Sequence, residues 1–230
     1  MKTIGLIGGM SWESSIEYYR IINEMTKAKL GGLHSAKSIM ASVDFAEIEV
    51  LQHQGKWDAA AQILIEAAKN LEAGGADFIV ICTNTMHKVA DDIQANVKIP
   101  ILHIADATAQ LVKEAGIQKI GLLGTRFTME EEFYKGRLTE KYGLTVMVPD
   151  AQEREIIHRV IYDELVLGEI QQNSKDTYIA IIERMVNAGA EGIILGCTEI
   201  GLLIHDQDSR VPLFDTTQIH AKAAVEYALK

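Results

Sequence analysis

The sequence is poor in cysteine, proline and aromatic residues, and each shortage excludes a class of protein. Only two cysteines occur among 230 residues, Cys82 and Cys197, so the chain cannot build a disulfide framework. Neither cysteine belongs to a short-spaced pair of the kind that binds zinc. With three prolines and no low-complexity stretch, the sequence contains no proline-rich linker. We therefore expect a globular chain with two free thiols.

Positive charge is also scarce. The chain carries 22 Lys and Arg against 32 Asp and Glu, and its basic residues form no cluster. A general affinity for nucleic acid or anionic lipid requires such clusters. No segment approaches the roughly 18 apolar residues of a membrane span, and the first ten residues do not resemble a secretory signal. We predict no nucleic-acid partner, no membrane partner and a cytoplasmic location.

Strand-like and helix-like segments alternate along the chain. Apolar runs at 2–7, 38–43 and 77–82 have the continuous character of strands buried on both faces. Ser11 can cap a helix that follows the first run, and residues 57–73 place apolar side chains at helical spacing. Strands that alternate with helices of this length are typical of βαβ units. The predicted fold class is α/β with a mostly parallel sheet.

Three phrases of the first half recur in the second half in the same order. Their spacings are 116 residues for IGL at 4 and 120, 114 for the GA pairs at 75 and 189, and 112 for Pro100 and Pro212. Ordered matches at nearly one spacing indicate an internal duplication. We predict two similar Rossmann-like domains with a cleft between them, one formed by residues 1–103 plus 212–230 and the other by residues 104–211. The strand ending at Phe214 and the last helix are expected to complete the first sheet.

Both predicted strands that end near a cysteine are followed by small polar residues. Ligands of open parallel sheets bind outside the carboxyl ends of the strands. Aligning the duplicated halves sets Thr83 against Cys197 and Asn84 against Thr198. We expect the helix after Cys197 to lower the pKa of its thiol. Asn84, Thr85 and Thr198 offer donors for a carboxylate, so the pattern favours proton abstraction beside a carboxylate.

Other chemistry-bearing residues receive structural interpretations. Cys82 faces away from Thr83 by strand alternation and is expected to be a buried core residue. The glycines of GLIGG at 5–9 do not have the spacing of a dinucleotide fingerprint. His87 and His103 belong to no cluster with metal spacing, and we interpret both as structural hydrogen-bonding residues. We predict neither a cofactor nor a metal.

Three motifs together resemble the aspartate/glutamate racemase superfamily over essentially the whole chain. They are IGLIGGM at 4–10, CTNTMH at 82–87 and GCTE at 196–199. The resemblance implies amino-acid racemization without pyridoxal phosphate, by two opposed groups that remove and return the α-proton. It assigns Cys197 as the base, Thr83 to the opposing position, and the substrate's α-carboxylate to Asn84, Thr85 and Thr198. Met10 and Ser11 are further candidate substrate contacts, and a homodimer is implied.

The sequence departs from the family pattern at two positions. Thr83 stands where members have a catalytic cysteine, so we predict unequal rates in the two directions of racemization. Val166 replaces a lysine of members that act on acidic amino acids. Two substrate ranges therefore stay open. The enzyme acts on aspartate and glutamate with Arg126 as a substitute cation, or it acts on a broader set of amino acids. The alternatives are an isomerase or lyase of the same superfamily acting on a dicarboxylate, and a small-molecule-binding protein without catalytic activity.

Overall fold

The chain divides into two units, each with its own parallel sheet. The computed structural model describes residues 1–230. Met1–Ile104 and His220–Lys230 form the first unit, and Ala105–Ile219 forms the second. All strand pairs in both sheets are parallel, which confirms the predicted α/β class. None of the helices combines the length and the apolar character needed to cross a membrane.

The first unit contains a three-stranded sheet in the order β2-β1-β3. Its strands are β1 (Ile4–Gly8), β2 (Ser38–Ser42) and β3 (Phe78–Ile81). Its helices are α1 (Trp12–Leu30), α2 (Phe45–His53), α3 (Trp57–Ala73) and α4 (Ala90–Gln94), and a 3₁₀ turn covers Thr85–Val89. An isolated parallel bridge between Ile79 and Ile101 extends this sheet beyond β3.

Local sequence signals set the ends of α1. Ser11 has extended backbone angles, and its side chain accepts a hydrogen bond from the Ser14 N–H, as an N-cap does. At the other end Gly31 has a φ of 77°, a left-handed value that glycine adopts without steric cost, and its N–H closes on the Lys27 carbonyl. The start of the helix agrees with the cap predicted at Ser11.

The second unit contains a four-stranded sheet in the order β5-β4-β6-β7. Its strands are β4 (Lys119–Gly124), β5 (Thr145–Met147), β6 (Gly192–Gly196) and β7 (Leu213–Asp215). Helices α5 to α10 cover Ile104–Glu114, Arg126–Glu130, Glu132–Gly136, Ala151–Asp163, Gln172–Asn187 and Ile200–Leu203. Helix α11 (Thr216–Leu229) begins in the second unit and continues into the first. A π turn covers Arg137–Lys141, and 3₁₀ turns cover Leu165–Leu167 and Asp206–Asp208.

The strand at Phe214 corrects one expectation about the domains. It was expected to complete the first sheet, but Phe214 pairs with Ile194 of β6 in the second sheet. The first unit resumes only at His220, inside α11, rather than at residue 212. Pro212 explains the pairing, because its carbonyl accepts the Ile193 N–H at 3.0 Å and starts β7 beside β6. The first boundary lies between residues 104 and 105, one residue from the predicted position.

Each unit buries its own apolar core. In the first unit α3 presents the fully buried Leu64 and a nearly fully buried Leu71 to a cluster that contains Ile7 and Ile79 of the sheet. In the second unit Ile181 of α9 joins a cluster that includes strand residues of β4 and β6. Burying one such leucine or isoleucine side chain contributes roughly 2 kcal/mol, so both sheets are held mainly by helices packed on their faces.

Candidate active site

The first unit brings two predicted site segments to one edge of its sheet. Ile7 of β1 and Ile81 of β3 are paired in register, so the residues that follow these strands emerge side by side at their carboxyl ends. Met10 and Ser11 follow β1, and residues 83–85 follow β3. Ligands of open parallel sheets bind at this edge, and all of these residues are predicted to belong to one substrate site.

Close packing explains the glycine pair that precedes Met10. Gly9 has a φ of 91°, and a Cβ at this position would lie 2.1 Å from the Val43 carbonyl oxygen. A side chain at Gly8 would lie 2.7 Å from Ser15 Oγ. Ser15 Oγ in turn accepts the Gly9 N–H at 2.8 Å. Gly8 therefore lets α1 approach β1, and Gly9 lets the segment after β2 approach, so close packing accounts for both glycines.

Asn84 and Thr85 are buried, whereas Thr83 is half-buried. The chain turns into a short 3₁₀ helix, Thr85–Val89, directly after Asn84. His87 fixes this turn, because its Nδ1 lies 2.8 Å from the Thr83 carbonyl oxygen and its Nε2 accepts the Ile104 N–H at 3.2 Å. Those two bonds require a neutral ring with the proton on Nδ1, in agreement with the structural role predicted for His87.

Cys82 is a core residue, as predicted. Its side chain is fully buried in a cluster with Leu6, Val80 and Val225, and burial raises the pKa of its thiol. A buried thiol without a cationic or dipolar partner is inert. Cys82 therefore does not replace the thiol that the family pattern has at the next position.

The second unit places Cys197 directly after β6. Gly124 of β4 and Gly196 of β6 are paired in register, and a Cβ on Gly124 would lie 2.7 Å from the Gly196 carbonyl oxygen. The two strand ends therefore lie unusually close together. Cys197 leaves this edge from β6 and Arg126 leaves it from β4, where Arg126 is exposed and its N–H donates to His158 Nδ1 at 3.3 Å.

A carboxylate that the sequence prediction did not include lies next to the thiol. Cys197 Sγ donates to Glu199 Oε2 at 2.9 Å, and Thr198 Oγ1 donates to the same oxygen at 2.8 Å. All three residues are buried, with Glu199 only 3% exposed. The sequence signal that could have found Glu199 is a carboxylate two residues after a cysteine at the end of a buried strand.

The acidity of Cys197 is opposite to the expectation. The pKa of its thiol is raised well above its usual value, first by burial and then by the negative charge and hydrogen bond of Glu199. The amides of Thr198 and Glu199 act in the opposite direction but do not dominate. The predicted helix effect is weak because α10 has four residues and begins at Ile200, so it has little dipole to offer.

Val166 and its neighbours lie in the second unit. The 3₁₀ turn Leu165–Leu167 ends at Gly168, which is left-handed with a φ of 74°. Val166 packs partly buried against the apolar core of this unit. Glu164 Oε1 accepts a hydrogen bond from Ser174 Oγ at 2.9 Å. Across the whole chain no group of three or more His, Cys, Asp or Glu side chains could hold a metal ion.

Comparison with known proteins identifies the class of this chain. Residues 7–224 match the family model of the Asp/Glu/Hydantoin racemases, and the chain belongs to that family. It is similar to a candidate Asp/Glu racemase of Yersinia pestis, with 61% identity, a TM-score of 0.93 and complete coverage of both chains. An aspartate racemase homologue from Pyrococcus horikoshii OT3 has 38% identity and a TM-score of 0.86, again over both complete chains.

A curated relative extends the similarity to a named enzyme. The chain is 25% identical to the broad specificity amino-acid racemase RacX of Bacillus subtilis over 171 residues, which are 73% of this chain and 72% of RacX. Racemases are isomerases, and the chain is an enzyme of that class. The resemblance found in the three sequence motifs is confirmed by these matches.

Proposed function

We propose that this chain is an amino-acid racemase that works without pyridoxal phosphate, with Cys197 as the base and Thr83 at the opposing position. The observation that carries the proposal is a cysteine and a threonine at the carboxyl end of β6 in a member of a racemase family. The substrate is aspartate, glutamate or a broader set of amino acids.

In the proposed mechanism the Cys197 thiolate removes the α-proton of the bound amino acid. Negative charge then grows on the α-carboxylate, and hydrogen-bond donors fixed in advance lower the energy of that state. Asn84, Thr85 and Thr198 are the proposed donors, and Met10 and Ser11 line the substrate on the side of β1. Thr83, or a water molecule that it holds, returns a proton to the opposite face of the α-carbon.

Arg126 is our candidate for recognising an acidic side chain. It is exposed at the strand edge that also carries Cys197, and Val166 leaves that unit without the family lysine. Arg126→Ala should raise KM for aspartate and glutamate by about tenfold, the size of one weakly desolvated charge pair, and leave KM for alanine unchanged. A parallel rise for all three amino acids would contradict this role.

A single assay tests the function. The purified protein is incubated in deuterated water with a panel of L- and D-amino acids, without pyridoxal phosphate, and products are scored by chiral chromatography and mass. A racemase yields the opposite enantiomer with one deuterium at the α-carbon. A product of different composition would indicate the lyase alternative, and absence of any product or label would refute the proposal.

We also propose a homodimer that uses one face of α1. Ile16 and Tyr19 are 52% and 55% exposed on this helix, and Trp12 is 61% exposed one turn earlier. Exposed apolar side chains at helical spacing are a feature of interaction surfaces. Light scattering should give twice the chain mass, and Ile16→Lys combined with Tyr19→Lys should give the monomer mass. The cytoplasmic location stays a prediction.

A further inference from the structure

The Glu199 carboxylate receives two hydrogen bonds on one oxygen. Oε2 accepts from Cys197 Sγ at 2.9 Å and from Thr198 Oγ1 at 2.8 Å, although a distance near 2.9 Å is short for a bond that involves sulfur. The thiol and the carboxylate are 8% and 3% exposed. Water therefore has little access to the thiol proton, and the carboxylate is the acceptor in contact with it.

We propose that Glu199 is a second catalytic residue, whose carboxylate takes the proton of the Cys197 thiol and so produces the thiolate that removes the α-proton of the substrate. This inference rests on the proposed racemase function. It addresses a problem that the geometry creates, because a buried thiol beside a negative charge does not lose its proton to solvent readily. A base in direct contact removes the proton without moving it through the protein.

The proton transfers balance in one cycle. The S–H bond of Cys197 breaks as an O–H bond forms on Glu199, and the charge moves from the carboxylate to sulfur. The thiolate then takes the α-proton, which leaves a negative charge on the substrate. A proton from Thr83 or its water neutralises the α-carbon. The extra proton on the pair returns to solvent and replaces the one lost on the Thr83 side.

Neighbouring groups favour a pair that shares one proton. The Thr198 hydroxyl donates to the carboxylate and orients Oε2 toward the sulfur. Tyr178 of α9 is the other titratable group close enough to interact with Cys197, and its hydroxyl donates to the Ile157 carbonyl at 3.0 Å rather than to the pair.

The test replaces Glu199 by glutamine and measures two properties. Racemization should fall about a hundredfold, the usual loss when a positioned base is removed. Alkylation of Cys197 by iodoacetamide, followed at its own peptide by mass spectrometry, should become about tenfold faster at pH 7.5, because removing the adjacent negative charge lowers the pKa of the thiol. A thiol that ionises more easily in a slower enzyme distinguishes proton transfer from a packing role.

Glu199→Asp keeps the carboxylate one methylene further away and should recover part of the lost rate. Glu191→Gln is the matched control, since Glu191 lies in the same unit and binds the Gln118 and Lys119 amides instead of a thiol. A rate of racemization in Glu199→Gln equal to that of the wild-type protein would overturn the proposal. Equal losses of rate in the Gln and Asp variants would also overturn it. If the Gln variant does not fold, a wild-type rate in the Asp variant would overturn it.

The two readouts also separate this inference from the proposed function. Should the wild-type protein label no amino acid, the racemase proposal fails, while the alkylation comparison still measures whether Glu199 controls the thiol. In that case unchanged alkylation in Glu199→Gln would overturn the pairing as well. An active wild type with an unaffected Gln variant leaves the racemase function intact and removes Glu199 from the mechanism.

Discussion

The two units repeat one pattern of hydrogen bonds at the start of their central strands. In the first unit the Asp77 N–H donates to the Thr3 carbonyl at 2.9 Å, and the Asp77 carboxylate accepts the Thr3 N–H at 2.6 Å. In the second unit Glu191 and Lys119 make the same two bonds at 2.8 and 2.9 Å. The predicted duplication is therefore visible as equivalent backbone pairing, even where the side chains differ.

The carboxyl ends of the same strands have diverged. By the 114-residue spacing, Cys197 and Glu199 of the second unit correspond to Thr83 and Thr85 of the first. One end thus carries a thiol in contact with a carboxylate, and the other carries two hydroxyl groups in the same places. The framework tolerates either chemistry because these residues lie beyond the last paired strand residues, so they do not hold the sheet together.

Removing the thiol should have the largest effect on this asymmetry. Cys197→Ala should reduce racemization in both directions by at least a thousandfold, since the proposed base is lost. Cys82→Ala is the control, because Cys82 is buried in the core and should affect stability rather than turnover. Chiral chromatography of both variants measures the difference. Comparable activity losses in the two variants would assign no special role to Cys197.

Thr83→Cys should make the two strand ends chemically more alike. A thiol is a far stronger acid than a hydroxyl, so we expect the slower direction of racemization to accelerate by about tenfold or more. The comparison concerns kcat, because an equilibrium constant of one keeps kcat/KM equal in the two directions. The kcat of the faster direction should change less, since Cys197 still removes the α-proton there. Circular dichroism follows both directions from the pure enantiomers. Equal rates in the wild-type protein would refute the asymmetry that this substitution is meant to repair.

A buried histidine gives the first unit a sensitivity to acid. His220 Nε2 donates to the Leu102 carbonyl at 2.7 Å and its Nδ1 accepts from Tyr18, so the ring is neutral, and burial lowers its pKa to about 4. Because the unfolded chain binds a proton near pH 6.5, the free energy of unfolding should fall by about 2 kcal/mol between pH 7 and pH 5.

Urea unfolding followed by tryptophan fluorescence measures this effect in the first unit, because the only two tryptophans, Trp12 and Trp57, both lie there. His220→Asn should remove most of the difference between the two pH values, although it also lowers stability at pH 7 through the lost contacts. A pH dependence that persists unchanged in the variant would locate the acid sensitivity elsewhere.

The smallest effect concerns the paired turns before β3 and β6. Gly75 and Gly189 have φ values of 91° and 100°, where an L side chain is strained. Gly75→Ala and Gly189→Ala should each destabilise the protein by about 1 to 2 kcal/mol, because the duplicated turns have the same geometry. Tryptophan fluorescence reports the first change and circular dichroism the second. A clear difference between them would limit how far the duplication extends.

The fold class could be predicted from the sequence because buried parallel strands have continuous apolar sequences. Its errors have physical causes. The prediction assigns Phe214 to the first sheet because the sequence of an apolar strand does not determine which strand it pairs with. That pairing depends on the hydrogen bond between the Pro212 carbonyl and Ile193. Glu199 was missed because carboxylates are common, and only the structure gives its distance from the sulfur. The raised pKa of Cys197 depends on burial and on a short helix, which spacing alone does not reveal.

The two equivalent prolines also bear on the solubility of the chain at high concentration. Pro100 and Pro212 accept hydrogen bonds from Ile79 and Ile193 at 2.9 and 3.0 Å, but neither can donate one outward. Pro100 precedes Ile101, which forms the single bridge beside β3, and Pro212 precedes β7, which pairs with β6. A strand from another molecule would find no N–H donor at either proline, which hinders edge-to-edge pairing at this one edge of each sheet.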